Sequence, residues 1–192
     1  METVATTGLS LSKDQKVDLT KTNPGLKIVG MGLGWDLQDG KTFDLDSFAF
    51  LCKDGKMIDA DPKKCVCYFG NLTLPGVKHS GDNLTGAGDG DDETITVKFD
   101  ELPADCNEVY FGLNIYNQPS ASLGQVKNAF CRAYNAEDPA KASIIRYDLS
   151  EDYGTANGII LGKLYKHNDE WKFQALGEVK NGDINQIAAN YR

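Results

Sequence analysis

Short apolar runs separated by turn residues recur along the whole chain. Their spacing predicts strands over 16–19, 26–33, 43–52, 65–69, 94–99, 109–116, 126–134, 144–149, 159–165 and 171–177, the pattern of packed sheets rather than of alternating strands and helices. The last two runs read as a hairpin with His167-Asn168-Asp169-Glu170 as its turn. Alternation is strictest from Val109 to Tyr116, where Val109, Phe111, Leu113 and Ile115 share one face. That strand is expected to be apolar on one side and wet on the other. Helix is confined to short peripheral pieces at 122–128 and 184–190. No linker or internal repeat divides the chain, so the expected fold class is all-β, a single two-sheet β-sandwich domain over 1–192 with short peripheral helices.

Composition changes this picture little: 192 residues, 41% hydrophobic and 25% charged, are ordinary for a soluble domain with one core. Charge is more informative, with 20 basic against 28 acidic residues. The acidity is local, since 82–93 carries Asp82, Asp89, Asp91, Asp92 and Glu93 with no Lys or Arg, and the remainder is close to balance. A nucleic-acid partner needs a basic patch, and none stands out. The N-terminus lacks the basic start and apolar run of a secretory signal, and no stretch approaches the ~20 apolar residues of a membrane span, so a cytoplasmic location is expected. Cys52, Cys65, Cys67, Cys106 and Cys131 are odd in number and without C-x-x-C spacing, which fits reduced core thiols rather than disulfides or zinc ligands.

Several chemistries fail on spacing. In "GMGLGWDLQDGKT", residues 30–42, both the phosphate-cradling loop and the dinucleotide fingerprint require glycine where Trp35 stands. Only two histidines occur, His79 and His167, and neither adjoins a nucleophile motif. His167 reads as a solvated hairpin residue and His79 as a residue on the rim of the acidic loop. Five carboxylates crowded in a flexible glycine loop do not easily hold pKa values apart for acid/base work.

What the crowding suits is a cation. In "HSGDNLTGAGDGDDETI", residues 79–95, five carboxylates share a glycine-rich loop. Two unit charges about 6 Å apart repel by roughly 0.7 kcal/mol in water and roughly 2.8 kcal/mol at an effective dielectric of 20. Excess hard oxygen ligands, with glycines that let carbonyls turn inward, suit calcium, and magnesium comes second. The EF-hand pattern fails when counted from Asp82, and the glycine-rich calcium nonapeptide occurs in one copy where an array is needed. A loop on a sandwich is the remaining host. Strand parity turns Glu93 toward the core with Ile95, Val97 and Phe99, and Asp92 the other way, which ranks Glu93 above Asp92. Asp44 and Asp46 share the face of Phe48 and Phe50, and Asp36 joins them if the strand ends cluster.

Taken together, Gly34-Trp35-Asp36, Asp44-Leu-Asp46 before Ser-Phe-Ala-Phe-Leu, "HSGDNLTGAGDGDDETITV", "IIRYDLSED" and "LYKHNDEWKFQALGE" resemble the TerD family of tellurite-resistance and stress-response proteins, which also includes proteins described as cyclic-AMP-binding. The resemblance covers residues 8–177. It implies a β-sandwich whose acidic loops bind two calcium ions. The matching positions are Asp36, Asp44 and Asp46 in the first motif and Asp82, Asn83, Thr85, Gly88, Asp89, Asp91, Asp92 and Glu93 in the second, with Thr85 and Gly88 acting through hydroxyl or carbonyl oxygens. Cys65-Val-Cys67 and the C-terminal extension 181–192 depart from the pattern. The implied function is non-enzymatic calcium binding in resistance to tellurite and other toxic agents, with calcium ions and other stress-response proteins as partners. No nucleic-acid partner is expected, and no membrane association without calcium. The alternatives are a calcium-dependent docking module for a protein or anionic lipid and, third, an enzyme using metal-bound water.

Overall fold

A computed structural model describes residues 8–37, 44–82, 90–116, 120–138, 142–149 and 153–192. The strands are β1 (Leu9–Ser10), β2 (Lys16–Asp18), β3 (Ile28–Leu37), β4 (Leu45–Lys53), β5 (Lys56–Met57), β6 (Val66–Cys67) and β7 (Thr73–Leu74). They continue with β8 (Val77–His79), β9 (Glu93–Lys98), β10 (Glu108–Ile115), β11 (Val126–Asn135), β12 (Ile145–Asp148), β13 (Gly158–His167) and β14 (Glu170–Lys180), followed by helix α1 (Ile184–Ala189). One sheet has the order β1-β12-β11-β3-β9-β8-β7 and the other β2-β14-β13-β10-β4-β5, with β6 pairing β4 alongside β5. This is the all-β, two-sheet arrangement that the apolar spacing predicts. The β13–β14 hairpin also forms where expected: Asn168 and Asp169 both take positive φ, 52° and 61°, which matches the turn to the twist of its strands.

Register fixes what faces what. In the second sheet Val109, Phe111, Leu113 and Ile115 of β10 lie opposite Leu51, Ala49, Ser47 and Leu45 of β4, and this face meets the other sheet. The expectation of a wet reverse side is wrong. Tyr110, Gly112 and Asn114 are buried as well, because the chain's end folds back over them. Tyr191 packs on Phe50 and Tyr110 with ring centroids 5.3 and 4.9 Å apart, and Ile187 sits so close over Gly158 that a Cβ there would lie 2.7 Å from its Cδ1. An alternating strand reads as half-exposed only when nothing covers its second face, and a six-residue helix far along the chain does so here. The other expected helix, 122–128, shrinks to a 3₁₀ turn at Leu123–Gln125 because β11 starts at Val126.

The glycines that resembled a nucleotide motif are explained by packing. Strand β3 runs through Gly30, Gly32 and Gly34 to Leu37, so these three stand in a strand and not in a phosphate-cradling loop, while Gly40 lies outside the described residues. Gly32 faces Arg132 and Gly34 faces Phe130 in the β11 register. A Cβ at Gly32 would fall on the Asp91 carboxylate, and one at Gly34 would meet the Phe130 ring and come within 2.7 Å of the Gly90 carbonyl. The glycines therefore clear the outer face of the first sheet for the acidic segment to lie on it.

All five cysteines are buried and unbridged. Burial pushes every thiol up, Cys106 to about 11 and Cys67 and Cys131 to about 12, with Cys52 and Cys65 moving the same way. Thiolate is the reactive form, so the folded chain is expected to show almost no reaction with a disulfide reagent such as DTNB at pH 7.5. All five thiols should titrate on adding denaturant, and fast native reaction would show that one is exposed. Truncation of the aromatic anchor, Tyr191→Ala, is expected to destabilise by about 3 kcal/mol in denaturant titrations. A loss within about 0.5 kcal/mol would show the terminal segment to be a dispensable tail.

Candidate metal centre

The site grows from a gap in the second sheet. β6 pairs with β4 only at Ala49 and Phe50, so the edge of β4 from Leu45 to Phe48 has no strand beside it among the described residues. Glu93, at the start of β9 in the other sheet, reaches into that gap. Its Oε2 accepts the Ser47 N–H at 2.8 Å and the Ser47 hydroxyl at 2.5 Å. Behind them His79 is buried, Nε2 lying 2.8 Å from Ser47 Oγ and 3.4 Å from Glu93 Oε2, while the Gly81 N–H donates to Nδ1 at 3.0 Å. His79 is thus beneath the site and not on its rim. Its inward direction follows from the alternation of Val77-Lys78-His79, where only Lys78 is exposed.

Above this network Asp44, Asp46 and Asp82 each bring a carboxylate oxygen within 4.8 Å of the others. Asp46 is 3% exposed, and Asp46 Oδ1 and Asp44 Oδ1 are buried with no hydrogen-bond partner. Burial, followed by the charges of Asp44, Glu93 and Asp82, raises the Asp46 carboxyl to about 8. Burial and then Asp82 and Glu93 raise Asp44 to about 6, and burial and then Glu93 raise Asp82, opposed by His79. Orphaned oxygens of this kind are costly to bury. A hard divalent cation satisfies them with the ligand type it prefers, so the residues present fit such an ion.

A second recess, about 240 Å³, lies between the end of β3 and β11 and is lined by Trp35, Asp36, Gly90, Asp92, Asn128 and Phe130, with Arg146 at its side. Asp92 Oδ2 accepts the Trp35 N–H at 2.8 Å. Burial raises the Asp92 carboxyl, that N–H opposes the rise, and Asp36, Glu93 and Asp91 add to it. Asp36 accepts from Asn128 Nδ2 at 2.7 Å, and Asn128 is turned toward it by a bulge in β11 at a φ of 53°. Asp36 therefore sits with Asp92 rather than with Asp44 and Asp46. Asp91 goes to neither group, because Arg132 holds both its oxygens, Nε to Oδ1 at 2.7 Å and Nη2 to Oδ2 at 2.8 Å. Asn83, Thr85, Gly88 and Asp89 lie outside the described residues.

Ser47, His79 and Glu93 have the residue types of a nucleophilic triad but not its roles. The Ser47 proton goes to the carboxylate, the His79 nitrogen facing Ser47 carries the ring proton because Nδ1 is the acceptor, and the side chains of His79 and Glu93 are fully enclosed. A general base must be free to take the nucleophile's proton, so this trio positions carboxylates instead. Ser47, Asn114 and Asn128 are site neighbours that sequence spacing does not single out. No helix among the described residues is long and apolar enough to cross a membrane.

Comparison with known proteins bears on this geometry. The family model for the TerD domain matches residues 7–191, so the terminal helix is inside the match. General stress protein 16U of Bacillus subtilis is 47% identical over 191 residues, covering 95% of this chain and 96% of that protein. Tellurium resistance protein TerD of Serratia marcescens is 40% identical over 189 residues, with 95% and 96% covered. In structure, a homologue of the telluride resistance protein TerD from Streptomyces coelicolor superposes with a TM-score of 0.66 at 21% identity, covering 85% of this chain and 96% of that one. None of these names is that of an enzyme. The chain belongs to the TerD family of tellurium-resistance and stress-response proteins.

Proposed function

We propose that this protein binds calcium through the acidic end of its sandwich and acts without catalysis of its own in the response to tellurite and other toxic agents. The observation that supports this reading best is the buried, partnerless pair of oxygens on Asp44 and Asp46 within reach of Asp82. A cation neutralises all three at once. The Asp36–Asp92 recess offers a second acidic position and supports a count of two ions. The buried roles of Ser47, His79 and Glu93 and the enclosed thiols support binding rather than chemistry as the use of this end.

The raised carboxyls fix the pH dependence. Below about pH 4 both folded and unfolded chains hold these protons. Above it the unfolded chain loses them first, so the folded state binds more protons, and metal-free stability falls as pH rises through about 6 for Asp44 and about 8 for Asp46. Calcium displaces those protons. Titration of chelator-stripped protein at pH 7 in buffers of different ionisation enthalpy is expected to show proton release on binding, vanishing by pH 9.5. At about 100 times its Kd calcium adds roughly 2.7 kcal/mol, a rise in Tm of about 5–10 °C. No heat and no change in Tm at millimolar calcium would sink the reading.

Asp46→Asn separates metal binding from bulk stability. In metal-free protein at pH 8 it removes a buried charge, and Tm is expected to rise by about 2–8 °C, for a gain of about 1–2 kcal/mol. The same variant should lose most of the calcium-induced stabilisation. A variant less stable without metal and still stabilised by calcium would show that Asp46 is not a ligand.

A further inference from the structure

On the far side of Asp46 from the network lies a recess of about 360 Å³ between β4, β10 and the start of α1. Its floor holds two acceptors directly opposed across the β4–β10 pair, Asp46 and Asn114. Each residue is 3% exposed, and the Oδ1 of each has no partner. The Asn114 amide nitrogen makes only a long contact of 3.5 Å to the Ile115 carbonyl. Asp183 adds a further carboxylate at the mouth. The wall is aromatic: Tyr68 meets Phe69 at 5.2 Å and 81°, and Phe69 meets Tyr116 at 5.3 Å and 81°. Successive perpendicular rings form an aromatic corner in the wall, and Tyr116 is 47% exposed at its edge. No Lys or Arg lines it among the described residues.

We propose that this recess binds a primary ammonium group carried on a short aliphatic chain. Two buried floor acceptors without partners call for a ligand that brings N–H hydrogens, and the Asp46 and Asp183 carboxylates in the lining call for positive charge. Aromatic faces favour an organic cation with an apolar stem over a hydrated inorganic ion. A quaternary ammonium fits the rings but leaves both floor oxygens unsatisfied, so the geometry selects primary amines. The volume is at the small end of ligand pockets and holds a few heavy atoms. The site shares Asp46 with the calcium cluster but needs Asn114 and the aromatic corner as well, so variants at those residues test it apart from calcium binding.

The test uses the full chain with 1,4-diaminobutane as probe, followed by calorimetry and by NMR shifts, once with chelator and once with saturating calcium. Millimolar or tighter binding is expected in at least one metal state, with no competition from butane-1,4-diol or tetramethylammonium. Asn114→Leu is expected to weaken the diamine at least about tenfold, the loss of a hydrogen bond to a charged group. Tyr116→Ala, at an exposed position and so tolerable to the fold, should weaken it about two- to fivefold. Nα-acetyl-lysine methylamide distinguishes the source: binding as tight as the diamine assigns the site to a lysine side chain of a partner, and no binding assigns it to a free amine. No diamine binding at about 10 mM in either metal state would overturn the proposal, since even a millimolar Kd would then be saturated. It would also be overturned by equal binding to wild type and Tyr116→Ala, or by an Asn114→Leu variant that loses calcium and not the diamine.

Discussion

Everything at the acidic end depends on one carboxylate filling the place of a strand. Beyond Ala49 the edge of β4 has no neighbouring strand among the described residues, and Glu93 of the opposite sheet takes the Ser47 N–H that a strand would otherwise accept. An unsatisfied buried N–H costs about 1–3 kcal/mol, so the contact both completes the ladder and ties the sheets together. It also brings a negative charge into the interior, and His79 and the Ser47 hydroxyl are placed to stabilise it. With Glu93 fixed there, Asp44 and Asp46, at the start of β4, and Asp82, three residues past β8, are drawn around a charge that none of them can neutralise.

The carboxylates then divide by what each can find. Asp91 meets Arg132 in a two-pronged pair over Gly32, only 10% and 17% exposed at the two side chains, and is neutralised in place. Asp36 accepts a hydrogen bond from Asn128 and Asp92 one from the Trp35 backbone, neutral donors that do not cancel a carboxylate's charge. Asp44 and Asp46 find neither cation nor donor for their inner oxygens. A side-chain hydrogen bond contributes about 1 kcal/mol net, while like charges at these separations cost more than that at an effective dielectric of 20. Repulsion therefore wins locally. Protons on Asp46 and Asp44 relieve it as pH falls, and a cation among the carboxylates is the other way to relieve it.

Sequence patterning made the sheets legible because period-two burial leaves a local trace. It placed Glu93 inward and Asp92 outward, and it located the β13–β14 turn, whose residues bend the chain by their own chemistry. Where the answer depended on distant segments, pattern was not enough. Asn114 reads as the solvent side of an alternating strand until α1 covers that face. Asn128 meets Asp36 only through a bulge that shifts the register by pairing, a property of two strands at once. His79 carried a usable signal in the alternation of β8, but three residues are too short a run for periodicity to register. The β3 glycines show the converse: their spacing resembled a phosphate loop, while their reason lies in Asp91 and Phe130 across the sheet.

The same geometry limits what the acidic end can do. A catalytic metal site keeps an exchangeable position beside a base that can accept a proton from bound water. Here the imidazole near the cluster already gives its ring proton to Ser47 and accepts at its other nitrogen from Gly81, so no capacity remains for proton transfer. Burial and neighbouring carboxylates hold the Asp44 and Asp46 carboxyls well above the usual carboxylate range. The buried Glu93–Ser47 contact meanwhile ties the two sheets together beneath them. Buried carboxyls raised to about 6 and about 8, on a frame held by the Glu93–Ser47 contact, couple the charge of this end of the sandwich to pH near neutrality.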